Sequence, residues 1–223
     1  MKGVVFTEFL DMVEDRFSAE MVDHIIVDSD LPSGGAYTAV GTYPHSEMVS
    51  MVVALSQRSG VAVPDLIRAF GEHLFSRFAQ AYPSFFVGVK DSFGFLSGIE
   101  DIIHAEVLKL YPDAQLPRFT VEHHDAHRLV LLYQSPRHFE DLAEGLMHGC
   151  VAHFGHPVHI EREATPDGVG EITLDDGPRS ASVIAVVAAA VAALLWRWFI
   201  RVHTRMQVAL LETLDNHKES SGH

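Results

Sequence analysis

The sequence contains a single cysteine, Cys150, among its 223 residues. One thiol cannot close an intramolecular disulfide, supply a zinc site built from several thiolates or form a CxxC redox pair. We therefore expect a reducing compartment. The first 17 residues also lack the basic region and continuous apolar run that define a secretory signal. We expect residues 1–178 to stay in the cytoplasm.

Basic residues are scarce as well. Sixteen Lys and Arg stand against 30 Asp and Glu, which gives a formal net charge of −14. Because nucleic-acid binding depends on cationic side chains that neutralise phosphates, this balance argues against a nucleic-acid partner. Long polar low-complexity runs and internal repeats are missing too, while 48% of the residues are hydrophobic. This composition predicts one main folded domain.

Hydrophobic periodicity separates an early helical part of the chain from a later part that is mostly strands. Steps of three and four residues predict amphipathic helices in five stretches, which are residues 4–17, 45–58, 64–81, 93–110 and 138–152. Alternation predicts strands in four stretches, which are residues 119–121, 129–133, 157–163 and 170–174. The expected turns are the polar residues 123–127 and the Pro-Asp-Gly at 166–168, and residues 31–35 are expected to form a loop. The predicted fold class is α+β, with N-terminal helices followed by an antiparallel sheet that a helix interrupts.

The C-terminal residues 179–223 are expected to form a separate hydrophobic helix and a short polar tail. Residues 181–200 carry one charge, Arg197, in twenty positions, which is just long enough to cross a bilayer and anchor the chain to the inner membrane. A buried or dimerising helix is the alternative, and residues 206–214 carry an apolar stripe through which a homodimer could form. The charge bias of the flanks and the missing signal disagree on topology, so the orientation stays open.

His104 is the first residue with chemical potential. Helical spacing places Val107, Leu108 and Tyr111 beside it, so its imidazole is expected on a mostly apolar stripe. A neutral imidazole is a common ligand of haem iron, but a lone histidine on such a stripe is more often a satisfied core residue. His104 alone therefore leaves both interpretations open.

Tyr133, Ser135 and Arg137 occupy alternate positions at the end of an apolar strand. Because strand side chains alternate between two faces, the three are expected on one side. Two hydroxyls and a guanidinium are the donors that a pair of carboxylates needs, since arginine can bind one carboxylate with two parallel hydrogen bonds. An ordinary polar strand end is the alternative for this triplet.

Taken together, these features resemble the H-NOX family, the haem domains that bind nitric oxide or oxygen. The resemblance rests on the opening MKGVV, on His104 seven residues before a Tyr-Pro pair, on Pro117 and Phe119, and on the Tyr-x-Ser-x-Arg triplet. It covers residues 1–178, which it predicts to be the haem-binding sensor domain whose helices and sheet enclose the cofactor.

The resemblance implies a role for each of these residues toward haem b, iron protoporphyrin IX. His104 is the expected proximal iron ligand, and Tyr133, Ser135 and Arg137 are expected to hold the two propionates. Pro117 matches the proline that presses on the porphyrin and keeps it bent. The residues agree with this, because a flat, apolar, dianionic cofactor needs an axial base, donors for its carboxylates and an apolar pocket.

The distal wall decides which gas the iron takes. In H-NOX members that hold oxygen, a tyrosine on the helix after the triplet donates a hydrogen bond to the bound dioxygen, and the matching position here is Leu142. An apolar wall does not stabilise the partly negative dioxygen, whereas nitric oxide needs little such help. A selective nitric oxide sensor is therefore expected, although plain core packing also explains such residues. The other expected wall residues are Val5, Phe9, Leu74, Phe78 and Leu146.

Signalling is expected to leave the chain through another protein, because no kinase, cyclase or phosphodiesterase motif follows the haem-binding part. The resemblance implies a histidine kinase, a cyclic-di-nucleotide enzyme or a chemoreceptor as the partner. Nitric oxide is expected to weaken the bond to His104 and to shift the protein between two packings as the porphyrin relaxes against Pro117. The chain is not expected to be an enzyme, since an apolar wall offers no distal acid or base. A haem enzyme or a haem carrier without a signalling role is the alternative.

Fifteen histidines also raise the question of a further metal site. Zinc sites use such residues, but one histidine group lies at the expected hairpin tip and the other spans a helix-to-strand junction. We therefore favour solvated surface for both. The two groups are His123, His124 and His127, and His153, His156 and His159.

Overall fold

The computed structural model describes residues 1–164 and 169–177, in which seven α-helices come before and between four strands. A 3-10 turn (Pro83–Phe86) and a π-helix (Ile99–His104) complete the helical part. The α-helices are α1 (Gly3–Arg16), α2 (Ala19–Asp28), α3 (His45–Ser59), α4 (Val63–Ala81), α5 (Ser92–Ser97), α6 (Ala105–Leu110) and α7 (Glu140–Phe154). The strands are β1 (Arg118–His124), β2 (Arg128–Gln134), β3 (His159–Ala164) and β4 (Gly170–Asp175).

Met1–Gly177 form one compact unit. The hydrophobic helix predicted over 181–200, the tail after it and the turn predicted at 166–168 lie outside the described residues. Within the described ranges, none of the helices combines the length and apolarity that crossing a bilayer requires.

Local signals in the sequence fix the ends of several helices. The Ser18 hydroxyl accepts a hydrogen bond from the Met21 N–H and caps α2, and the Asp91 carboxylate caps α5 through the Gly94 N–H. Gly155 ends α7 in the left-handed conformation, which glycine adopts without steric cost. Ser18 and Asp91 thus mark where α2 and α5 begin, and Gly155 marks where α7 ends.

The four strands form one antiparallel sheet with the order β1-β2-β4-β3. Helix α7 lies between β2 and β3 in the chain, so the predicted sheet interrupted by a helix is confirmed. Strand β2 is central and nearly continuous in its burial, with Leu129, Leu131 and Tyr133 all buried. The register places Phe119 opposite Tyr133, and this pairing fixes the triplet end of β2 against the start of β1.

Helices α4 and α7 cross at very close range because glycines face the contact. A methyl group on Gly71 would lie 2.6 Å from the Leu142 carbonyl oxygen, and one on Gly145 would clash with the Arg68 carbonyl oxygen. Any larger side chain at either position would push the helices apart. This crossing holds the Leu142 turn of α7 against α4.

Two apolar clusters divide the core between the helices and the sheet. Phe6, Phe9 and Leu55 belong to the first cluster, which α1–α4 form, and Leu131 and Met147 belong to the second, which the sheet forms with α5 and α7. The site described next lies between these clusters.

Two features of the helical part differ from the sequence prediction. Helix α2 was not predicted, although Ser18 and the apolar residues after it carry a helix signal. The single helix predicted over 93–110 is instead α5, the π-helix and α6 in succession, and Leu108, expected beside His104, is exposed.

Candidate functional site

A cavity of about 520 Å³ opens between the two core clusters. Ligand pockets typically have volumes of about 300–1,000 Å³. Residues of α1, α4, the stretch from α5 to α6, the loop before β1, the end of β2 and α7 contribute to its walls. Segments far apart in the chain therefore meet at one place, and His104 and the predicted triplet are all among the lining residues.

His104 ends the π-helix and lines the cavity with Val107 and Tyr111. Its side chain is 13% exposed, and burial lowers the pKa of its imidazole below the ordinary value. The ring is therefore neutral at pH 7, which is the form that binds metals. A π-helix is rare and is frequently found at functional sites.

The carboxylate of Glu100 holds one nitrogen of the His104 ring. His104 Nδ1 lies 3.2 Å from Glu100 Oε1, and the same oxygen accepts the Phe119 backbone N–H at 2.6 Å. An ionised carboxylate has only acceptors, so Nδ1 carries the proton and Nε2 is the nitrogen left for a ligand. Glu100 was not predicted as a site residue, although its position four residues before His104 is a helical spacing readable from the sequence.

The triplet reaches the cavity, but not as a continuous strand. Tyr133 is the penultimate residue of β2 and is 2% exposed, whereas Ser135 and Arg137 follow in a turn. The Ser135 hydroxyl accepts the Arg137 backbone N–H at 3.2 Å, which closes that turn. Burial raises the pKa of the Tyr133 phenol, so its hydroxyl stays a donor at neutral pH. All three side chains line the same cavity, as the alternation predicted, but Ser135 and Arg137 lie in the turn after β2 and not in the strand.

Arg137 is held from the loop before β1 by Gln115. Its Nη1 donates to the Gln115 carbonyl oxygen at 3.2 Å and its Nη2 donates to Oε1 at 2.7 Å. Both residues line the cavity, as does Pro117 two positions later. Gln115 was not predicted as a site residue, because a contact across 22 residues leaves no local pattern in the sequence.

Five of the six predicted wall residues line the cavity, and Phe9 does not. These five are Val5, Leu74, Phe78, Leu142 and Leu146. Phe9 is fully buried in the first core cluster with its ring edge-on to Phe70 at 5.3 Å between centroids, so it forms the layer behind the wall. Tyr82, which sequence analysis did not select, also lines the cavity, next to Phe78 at 6.3 Å between ring centroids.

This donor set fits haem. The cavity walls are mostly apolar, and their lining residues include a neutral imidazole with its Nδ1 occupied, two hydroxyls and a guanidinium. These are the axial base and the carboxylate donors that the cofactor requires. The described residues near the cavity thus satisfy each requirement from a different segment.

The histidine groups form surface contacts in the described part of the chain. His123 Nε2 lies 2.8 Å from Asp125 Oδ2, and His127 Nδ1 lies 3.0 Å from Asp176 Oδ1. His153 packs against Phe86 at 4.6 Å between ring centroids. Residues 1–164 and 169–177 hold no group of three or more His, Cys, Asp or Glu arranged to bind a metal ion.

The family model described as Haem-NO-binding matches residues 2–162. A search of curated proteins found no match to the chain.

Several solved structures share the fold. The Fe(II) unliganded H-NOX protein from K. algicida is 41% identical, with a TM-score of 0.75, and the match covers 81% of this chain and 98% of that one. The H-NOX from Shewanella woodyi, solved in solution with IWP-051 in the Fe(II)CO state, is 39% identical with a TM-score of 0.70, covering 81% and 96%. The H-NOX protein from S. oneidensis in the Fe(II)NO state is 28% identical with a TM-score of 0.72, covering 78% and 98%.

Proposed function

Because this chain belongs to the Haem-NO-binding (H-NOX) family, we propose that it is a haem-based sensor of nitric oxide whose iron ligand is His104. The observation that carries the proposal is that one cavity brings a half-buried, neutral His104 together with Tyr133, Ser135 and Arg137. Haem b, when bound, would supply a ferrous iron that takes nitric oxide as a ligand.

The chain's own residues have separate roles in this proposal. Because Glu100 occupies Nδ1, Nε2 is the nitrogen that His104 would offer to the iron. Tyr133, Ser135 and Arg137 supply the donors for the two propionates, since a guanidinium and hydroxyls bind carboxylates. Pro117, which lines the cavity from the loop that leads into β1, would supply a rigid contact for the porphyrin.

The distal wall supports selectivity for nitric oxide over oxygen. Leu142 occupies the position where oxygen-binding members carry a tyrosine, and Val5, Leu74 and Leu146 offer only methyl groups. These four side chains offer no hydrogen-bond donor to a partly negative ligand, so they do not compensate the cost of its desolvation. Tyr82, four positions after Phe78, also brings a hydroxyl to the cavity lining, but this residue is 40% exposed.

The signal is proposed to pass to a partner, with no catalysis by this chain. Loss of the His104 bond would change the packing between the π-helix and β1, which is a shift between two discrete arrangements. The proposed partner is a histidine kinase, a cyclic-di-nucleotide enzyme or a chemoreceptor. The sensor part is proposed to lie in the cytoplasm. Anchoring to the inner membrane through residues 181–200, or dimerisation through the tail, stays a prediction about residues outside the described part.

Absorption spectra of the purified ferrous protein test this function. We expect a histidine-ligated ferrous spectrum without gas, a five-coordinate spectrum after nitric oxide is added, and no stable oxygen complex in air. The absence of haem after reconstitution, or a stable oxygen complex in air, would contradict the proposal.

A further inference from the structure

One carboxylate oxygen joins the expected iron ligand to the sheet. Glu100 Oε1 accepts two hydrogen bonds, one from His104 Nδ1 at 3.2 Å and one from the Phe119 backbone N–H at 2.6 Å. Phe119 lies at the start of β1, and its ring is 6.0 Å from the His104 ring. The oxygen therefore lies where a movement of His104 relative to β1 has to break or stretch one of the two bonds.

We propose that Glu100 is a positioning residue that strengthens the bond between His104 and the iron and so sets how readily nitric oxide breaks it. This inference rests on the proposed function, because it requires that His104 binds haem. A carboxylate that accepts the second ring N–H of a metal-bound histidine fixes its tautomer and raises the basicity of the coordinating nitrogen. A more basic imidazole forms a stronger bond to the iron.

Glu100 and His104 lie four positions apart within the π-helix Ile99–His104, so one face of the same helix carries both side chains. The second bond, to the Phe119 N–H, fixes the carboxylate from a different element, so Glu100 does not simply follow its own helix. The carboxylate is therefore preorganised for Nδ1, at a side-chain exposure of 37% for Glu100 and 13% for His104.

Resonance Raman spectra of the full ferrous protein test the inference, because the stretching frequency of the iron–histidine bond reports its strength directly. We expect Glu100→Ala to lower this frequency, and Glu100→Gln to fall between Glu100→Ala and the wild type, since the amide oxygen still accepts a hydrogen bond but carries no charge. After mixing with nitric oxide, loss of the His104 bond in Glu100→Ala is expected to be about tenfold faster, because partners of this kind change metal affinity by about 10–100-fold.

Asp101→Asn is the matched control. Asp101 is exposed on the same turn, and its substitution removes the same unit of charge one residue away. We expect the wild-type frequency and rate for this variant. If Glu100→Ala does not retain haem, the comparison of Glu100→Gln with Asp101→Asn decides the question.

Two outcomes would overturn the inference and can be told apart. A wild-type protein without an iron–histidine band would overturn the proposed function, and Glu100 with it. Variants at Glu100 that keep the wild-type frequency and rate, even if they unfold more easily, would leave the function intact and reduce Glu100 to a structural role.

Discussion

Gln115 accepts two hydrogen bonds from the Arg137 guanidinium. Its carbonyl oxygen accepts from Nη1 at 3.2 Å, and its Oε1 accepts from Nη2 at 2.7 Å. The loop before β1 thus orients the guanidinium, and its remaining N–H groups would bind a carboxylate in the cavity. Only a planar side chain with several fixed donors can make both sets of contacts.

Arg137→Lys therefore separates charge from geometry. Lysine keeps the positive charge but lacks the fork, so at least one charge-assisted hydrogen bond of about 1.5–3 kcal/mol is lost. We expect haem to dissociate at least about tenfold faster, as measured by transfer to an excess of a haem-scavenging protein. Arg118→Lys, an exposed change at the start of β1, should leave the rate unchanged. Equal rates for Arg137→Lys and the wild type would remove Arg137 from the cofactor site.

Leu142→Tyr tests the explanation for gas selectivity. A hydroxyl on this wall would donate to bound oxygen in an apolar site, and one such bond contributes about 1–2 kcal/mol. We expect an oxygen complex in air that the wild type does not form. Leu142→Phe adds the ring without the hydroxyl and should behave like the wild type. If the wild type itself holds oxygen and Tyr82→Phe abolishes this, Tyr82 is the distal donor and the Leu142 argument is wrong.

Asp125→Asn tests the interpretation of the histidine-rich turn as structural. The backbone N–H of His127, the His123 ring and the Arg128 N–H lower the Asp125 pKa from 3.8 to about 2. Between pH 4 and 2 the unfolded state consequently binds more protons, so this stabilisation is complete above about pH 4 and is lost as the pH falls towards 2. We expect Asp125→Asn to melt below the wild type at pH 5, with the gap closing towards pH 3. A gap that does not change with pH would contradict this.

Gly145→Ala tests the close crossing of α4 and α7. Its methyl group would clash with the Arg68 carbonyl oxygen, and overpacking of this kind costs about 1–3 kcal/mol. We expect a lower free energy of unfolding in urea and a weaker hold on haem, because Leu142 and Leu146 move with α7. Wild-type stability would mean that the crossing adjusts without strain.

Most helices and all four strands were predictable because their signals are local. The apolar face of α1 and the alternation in β2 are both readable from the sequence. Helix α2 carries comparable signals, since Ser18 precedes apolar residues at helical spacing, and it was simply not assigned. The interruption of the helix before His104 was not predictable, because periodicity does not distinguish a π-helix from an α-helix over six residues.

The residues of the candidate site also divide into those that the sequence indicates and those that only the folded chain reveals. His104 and the triplet could be selected because their types and spacing resemble a family pattern, whereas Gln115 acts through a contact made only in the folded chain. Phe9 failed as a wall residue because the apolar face of α1 is wider than the cavity, and its ring packs on Phe70 instead.

The most direct test of the central claim is the absorption spectrum of ferrous His104→Gly with and without free imidazole. If His104 binds the iron, the variant should lose the histidine-ligated spectrum and recover it when imidazole enters the space left by the side chain. His148→Gly, a change on α7 away from the cavity lining, should keep the wild-type spectrum without imidazole. A wild-type spectrum from His104→Gly without imidazole would mean that another residue binds the iron and would contradict the account.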